Sequence, residues 1–276
     1  GILGGGIATL LITEAGWRSV FVFGACLSAI MIPVVLWRLP ESIDYLLARR
    51  PNNALQGINK LLGRMQHNEI TSLPEVESET VNKKANLASL WTAEFRSATI
   101  LMWLTFFMIM ASLYFVMSWT PKLLEHAGLT AQQGISGGMI LHGGGITGQL
   151  ILGFISAKLN LKKLITAYML FATIFISLFA VYTNQLSIAL YMVFFVGFFL
   201  MGSITSLYML SPKLYPPEIR TTGMGWAIGI GRIGAIISPF LAGVFLDLNW
   251  TTSSMFFVFA LPAFIAMLAI VFIHTE

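Results

Sequence analysis

The chain has 276 residues, 57% of them hydrophobic and only 10% charged, and its mean hydropathy is +0.80. A soluble domain carries roughly 25% charged residues, so this composition excludes an ordinary globular protein and describes a chain that lives in a bilayer. The pI near 9.3 does not signal a nucleic-acid partner, which requires a clustered basic face. The single Cys26 sits in an apolar run and reads as a small packed residue rather than a redox group.

Along the chain, GILGGGIATLLI (1–12) is an apolar helical run that starts without a methionine, a charged n-region or a cleavage site. It reads as the cut end of a helix whose N-terminal continuation is missing. Seven further segments are long enough to span roughly 30 Å of hydrocarbon, which takes about 20 helical residues: 17–39, 99–121, 133–157, 164–183, 187–210, 222–246 and 252–273. The fold class is therefore all-α, a polytopic transmembrane bundle with one truncated and seven full spans.

The loop 40–98 separates the first spans from the rest. Asn52 and Asn53 after Pro51 can cap a short helix with Leu55, Ile58, Leu62 and Met65 on one face and Lys60 and Arg64 toward the other. That pattern suits an interfacial helix and equally a helix packed on its neighbours. The acidic EITSLPEVESE (69–79) reads as a solvated linker, and NLASLW (86–91) leads back to the membrane.

Cytoplasmic loops retain Lys and Arg, and these residues are unevenly distributed. Eight fall between Arg38 and Arg96, three at Lys158, Lys162 and Lys163, and two at Lys213 and Arg220, against Arg18 and Lys122 on the other side. The long loop and the C-terminus are therefore expected in the cytoplasm of a cell with this protein in its inner (plasma) membrane.

Several polar or aromatic residues fall inside the spans. Phe107, Met110 and Tyr114 share a helical face and are suited to stacking an aromatic ring, although ordinary packing explains them too. Trp119 and Trp250 mark the outer boundary. His142 lies about 14 Å into its span and can carry a proton, donate to a substrate or satisfy a neighbouring helix. Gln149 is a further polar group that can line a cavity.

The stretch GMGWAIGIGRIGAIISPFLAG (223–243) contains Gly229, Gly231 and Gly234 in G-x-G-x-x-G spacing. No strand precedes it and no acid follows at ribose distance, so it is not a dinucleotide fingerprint. Gly225 with Gly229, and Ala227 with Gly231 and Ala235, instead follow the small-x-x-x-small spacing of close helix contacts. Arg232 is the one formal charge within the spans, about 18 Å from Arg220 and about 22 Å from Asp247 along the helix. Such a cation costs about 2.5 to 3.5 kcal/mol to insert, so it faces a cavity or a partner. Three explanations are open: a ligand carboxylate, a partner in an absent helix, or snorkelling. The chain has no Cys/His metal cluster, nucleophile elbow or paired membrane acids, so no enzyme and no cofactor is expected.

LPESIDYLLARRP resembles the segment closing the sixth helix of major facilitator superfamily transporters. YPPEIRTTGMGWAIGIGRIGAIISPFLAG, SWTPKLLEHAGLT and GWRSVF resemble, more specifically, elements of the aromatic acid:proton symporters. The resemblance covers essentially the whole chain, as the end of helix five through helix twelve. It implies helices five and six in 1–40, an inter-half loop in 41–98 and the C-terminal six-helix half in 99–276. It also implies proton symport of a small aromatic or related carboxylate by alternating access between two six-helix halves.

On this resemblance Arg232 matches the arginine implicated in transport and Arg220 a cytoplasmic-end arginine; beside Arg232, aromatic side chains such as Tyr114 and Tyr208 are expected to supply an apolar wall. The family's cytoplasmic gating element survives only as Gly153 to Lys163, with Lys158 present but Ala157 where an acid is expected. The coupling acids are expected in the missing N-terminal half. An efflux antiporter and a solute sensor for organic anions remain as alternatives.

Overall fold

The computed structural model describes residues 15–38, 53–68, 70–73, 87–126, 130–183 and 185–273, with Ile7, Leu11, Ile12, Ile43, Leu46, Leu47 and Pro51. Most of the expected helix at 1–12 and of the linker at 69–79 lies outside them. The regular elements are all helical: α1 (Trp17–Arg38), α2 (Ala54–Arg64), a 3-10 turn (Leu87–Trp91), α3 (Arg96–His126), α4 (Ala131–Ser156), α5 (Leu161–Tyr182), α6 (Leu186–Leu214), α7 (Pro217–Asp247) and α8 (Thr252–Phe272). The chain divides into two compact units, residues 3–84 and residues 85–276. The segment 87–98, expected in the loop, thus belongs with the helices that follow it.

In the smaller unit, α1 is largely apolar between Arg18 and Arg38 and none of its residues is buried, the character of a helix meant for lipid or for other helices. Cys26 is exposed on it, contrary to the packed position expected from sequence. Asn53 stands at the N-cap of α2 but makes no side-chain cap bond; Ala54 N–H bonds the Pro51 carbonyl instead. The buried face of α2 is Ala54 and Ile58, packed with Leu46 and flanked by Leu61, Leu62, Ile70 and Leu73. Met65, expected on that face, is exposed. Asn59 closes this small core by exchanging both hydrogen bonds with Ile70 at 2.9 and 3.0 Å. The amphipathic pattern is therefore spent, at least in part, on a local core.

The larger unit is a six-helix bundle. Together with α1 its helices make seven that are long and apolar enough to cross a membrane, which makes the chain a multi-pass membrane protein. In the bundle α3 packs against α4, α6, α7 and α8, while α4 pairs with α6 and α5 with α6 and α8.

Side-chain bulk sets these pairings. Where α3 meets α8, Phe115 stacks on Phe259 at 3.9 Å and meets Phe256 edge-on, and buried Ser112 donates to the Phe259 carbonyl at 2.8 Å. Where α4 meets α6, backbone replaces side chain. A Cβ on Gly144 or Gly148 would strike the carbonyls of Phe194 or Phe198, and one on Gly197 would strike that of Leu141. The run HGGGITG in α4 is thus explained by close backbone approach, as small residues permit between membrane helices.

The helices overrun the apolar segments at several ends. α7 starts at Pro217, whose missing N–H costs nothing in a first turn, and α3 continues through Pro121 to His126.

Candidate functional site

The site is built where α7 crosses α3. Gly231 and Gly234 make the crossing possible: a Cβ on Gly231 would lie 3.1 Å from Met110 Cγ and 3.2 Å from the Phe106 carbonyl, and one on Gly234 would strike the Phe107 carbonyl. Ala227, Ala235 and Ala242 are buried along the same side of α7. By contrast Gly225, Gly229 and Gly153 have nothing within 4 Å of an added Cβ. Of the small residues expected to bring helices together, Gly231 does so and Gly229 does not. Gly225 and Gly229 instead form a smooth exposed strip on the face that also carries exposed Arg232.

Arg232 is the midpoint of α7, about 22 Å from either end at 1.5 Å per residue. Its Nη1 donates to the Tyr114 hydroxyl of α3 at 2.5 Å, and its Cζ lies 5.8 Å from the Tyr114 ring centroid, within cation–π range. The arginine thus has a neutral partner inside the chain, a possibility beyond the three left open by the sequence. A phenol accepts a hydrogen bond without cancelling the charge. The cation remains available to an anion.

The other expected site residues distribute differently. Tyr208 is exposed on α6 and meets buried Phe106 edge-on at 5.7 Å. It lies six residues from Leu214, about 9 Å from its helix end, and so nearer the bundle's basic end than Arg232. Phe107 lines a separate slot of about 270 Å³ between α3, α7 and α8, with Gly234, Ser238 and Pro262 among its walls and Arg232 absent from them. Tyr114 is likewise absent from the walls of that slot, although it shares a helical face with Phe107. His142 is partly buried at the middle of α4. Gln149 donates to the Met201 carbonyl of α6 at 3.4 Å, beside the bond from buried Tyr168 to the Gly148 carbonyl. Its amide joins two helices.

At the basic end, Arg220 Nε donates to the Tyr215 carbonyl at 3.4 Å, strapping the turn between α6 and α7. The Tyr215 hydroxyl donates to Thr99 Oγ1 at 3.1 Å, and Thr99 donates to the Leu90 carbonyl at 3.4 Å. One hydrogen-bond chain therefore links α7, the α6–α7 turn, α3 and the 3-10 turn. Burial pushes the Tyr215 phenol above its ordinary value, against a smaller opposing effect of the Thr99 bond, so it stays protonated as a donor. Gly223 makes room for that ring. Nearby, Trp103 meets Trp91 at 5.6 Å and Trp226 at 6.0 Å.

Lys158 is exposed in the α4–α5 turn. Asn160 caps α5 there by accepting from Lys163 N–H. Asn160, the role of Tyr215 and the tryptophan cluster escaped the sequence reading; Asn160, an Asn opening an apolar helical run, and Tyr215, the first residue of the YPPEIR element, had a usable signal.

The Major Facilitator Superfamily model matches residues 1–225 and 144–276. A gallate transporter of Pseudomonas putida is 34% identical over 97% of this chain and 60% of its own length. A 4-hydroxybenzoate transporter of Acinetobacter baylyi is 28% identical over 97% of the chain and 59% of its length. A benzoate transport protein of the same species is 26% identical over 97% and 57%. The chain therefore spans less than two thirds of these relatives, which are named as transporters and not as enzymes. A bundle of apolar spans, a lone charge at the middle of an apolar helix and a family match along the whole sequence agree: the chain belongs to the Major Facilitator Superfamily.

Proposed function

We propose that the protein carrying this chain is a secondary transporter that takes up a small aromatic carboxylate by proton symport, with Arg232 as the group that holds the carboxylate. The observation behind this is the setting of Arg232: mid-helix, exposed, and held among the described residues by the neutral Tyr114. A planar fork of donors matches a carboxylate's two oxygens. The strip of Gly225 and Gly229 leaves space beside it, and Tyr208 is exposed nearer the basic end. The relatives' named substrates, gallate, 4-hydroxybenzoate and benzoate, are all aromatic acids.

Alternating access about a mid-depth site is the mode this architecture uses, with the basic end facing the cytoplasm of a plasma-membrane protein. The Arg220–Tyr215–Thr99 chain is suited to hold that end together as the bundle moves. Uptake of radiolabelled benzoate, hydroxybenzoates and gallate by cells expressing the full-length protein tests the reading. Accumulation of at least one acid that collapses on adding a protonophore is expected. Accumulation untouched by the protonophore removes proton coupling, and no uptake of any acid removes the substrate class.

A further inference from the structure

We propose that Tyr114 is the specificity-determining partner of Arg232: its hydroxyl positions the guanidinium and directs its own proton to the ligand, so that the site accepts a carboxylate and rejects the neutral amide. This rests on the reading of Arg232 as the anion site and adds a residue and a selection rule to it.

A phenol has one O–H and two lone pairs, whereas a guanidinium has donors only. The bond from Arg232 Nη1 fills a lone pair of the Tyr114 oxygen, and the arginine cannot receive the phenol's proton in return. Among the described residues no carbonyl or carboxylate receives it either. A hydroxyl that accepts from a cation is polarised and becomes a better donor. The unused guanidinium N–H groups and the O–H therefore all offer protons. A carboxylate, which only accepts, satisfies such a site. An amide places its NH₂ donors against the site's donors, and rejection by unmatched polar groups is a strong form of selectivity.

The support beneath Tyr114 suits positioning. Its neighbours Leu113 and Phe115 are buried, and Phe115 is clamped between Phe256 and Phe259. On the other helix Gly231, next to Arg232, sits against Met110 and Phe106 of α3. Both ends of the Arg232–Tyr114 pair thus stand on tightly packed backbone, and the ring at 5.8 Å from Cζ restricts the guanidinium further.

The test is Tyr114→Phe in the full-length protein carrying this chain, with benzoate and benzamide as competing probes. The KM for benzoate should rise about tenfold with kcat changed by less than about twofold, the pattern of lost uniform binding. The preference for benzoate over benzamide should fall by about the same factor. Tyr114→His, which restores a ring N–H donor, should recover part of that preference and guards against a folding defect in the Phe variant. If Tyr114→Phe keeps the full acid preference while Arg232→Ala loses it, Tyr114 merely packs against the cation and this inference fails alone. If Arg232→Ala also keeps the preference, the anion-site reading itself fails.

Discussion

Arg232 is the residue that the amino-acid order singles out most clearly, because an isolated cation among apolar residues is costly and therefore placed for a reason. Its bond to Tyr114 was hidden. The partners are 118 positions apart, and nothing in the spacing of either helix says which face meets which. The same holds for Phe107, which shares a helical face with Tyr114 and borders a slot whose walls do not include Arg232 or Tyr114. Tyr215 is legible in sequence only as the first residue of YPPEIR, with no role of its own, because its value comes from Thr99 on another helix. Tyr215→Phe should lower the protein's thermal stability by about 1 kcal/mol, the net value of such a bond, while leaving benzoate affinity unchanged. A change in affinity with no change in stability would contradict a strapping role.

Helices were legible as elements because length and apolarity alone define a span, and the observed limits differ from the apolar segments by a few residues. The loop was harder. The 3-10 turn Leu87–Trp91 and the local core around Ala54 and Ile58 depend on short-range packing that hydropathy does not report. Glycines show the limit most clearly, since the sequence cannot separate those that meet a neighbouring backbone from those that face open space. Gly234→Ala should cost about 1 to 3 kcal/mol by forcing α7 off the Phe107 carbonyl. Gly229→Ala should leave stability unchanged or raise it by up to about 1 kcal/mol through helix propensity. Thermal unfolding of the purified variants checks both, and equal losses at the two positions would contradict the assignment of Gly229 to the open strip.

For the whole molecule, the bias of Lys and Arg predicts orientation independently of any contact. A cysteine introduced at Thr71, after Cys26→Ala, should react with a membrane-impermeant thiol reagent only from the cytoplasmic side. Labelling from outside intact cells would reverse the orientation. The six-helix bundle and the match along the chain show the Major Facilitator Superfamily, and the central claim then concerns what is held at the middle of the bundle. The most direct test is competition by benzoate and benzamide for uptake in wild type, Arg232→Ala and Arg232→Lys. A charge-assisted hydrogen bond contributes about 1.5 to 3 kcal/mol, so wild type should favour the acid strongly and Arg232→Ala should lose at least about tenfold of that preference. Arg232→Lys should lose most of it as well, because a point ammonium cannot reproduce two parallel bonds. Full acid preference in an Arg232→Ala protein that reaches the membrane would contradict the account and place the anion site elsewhere.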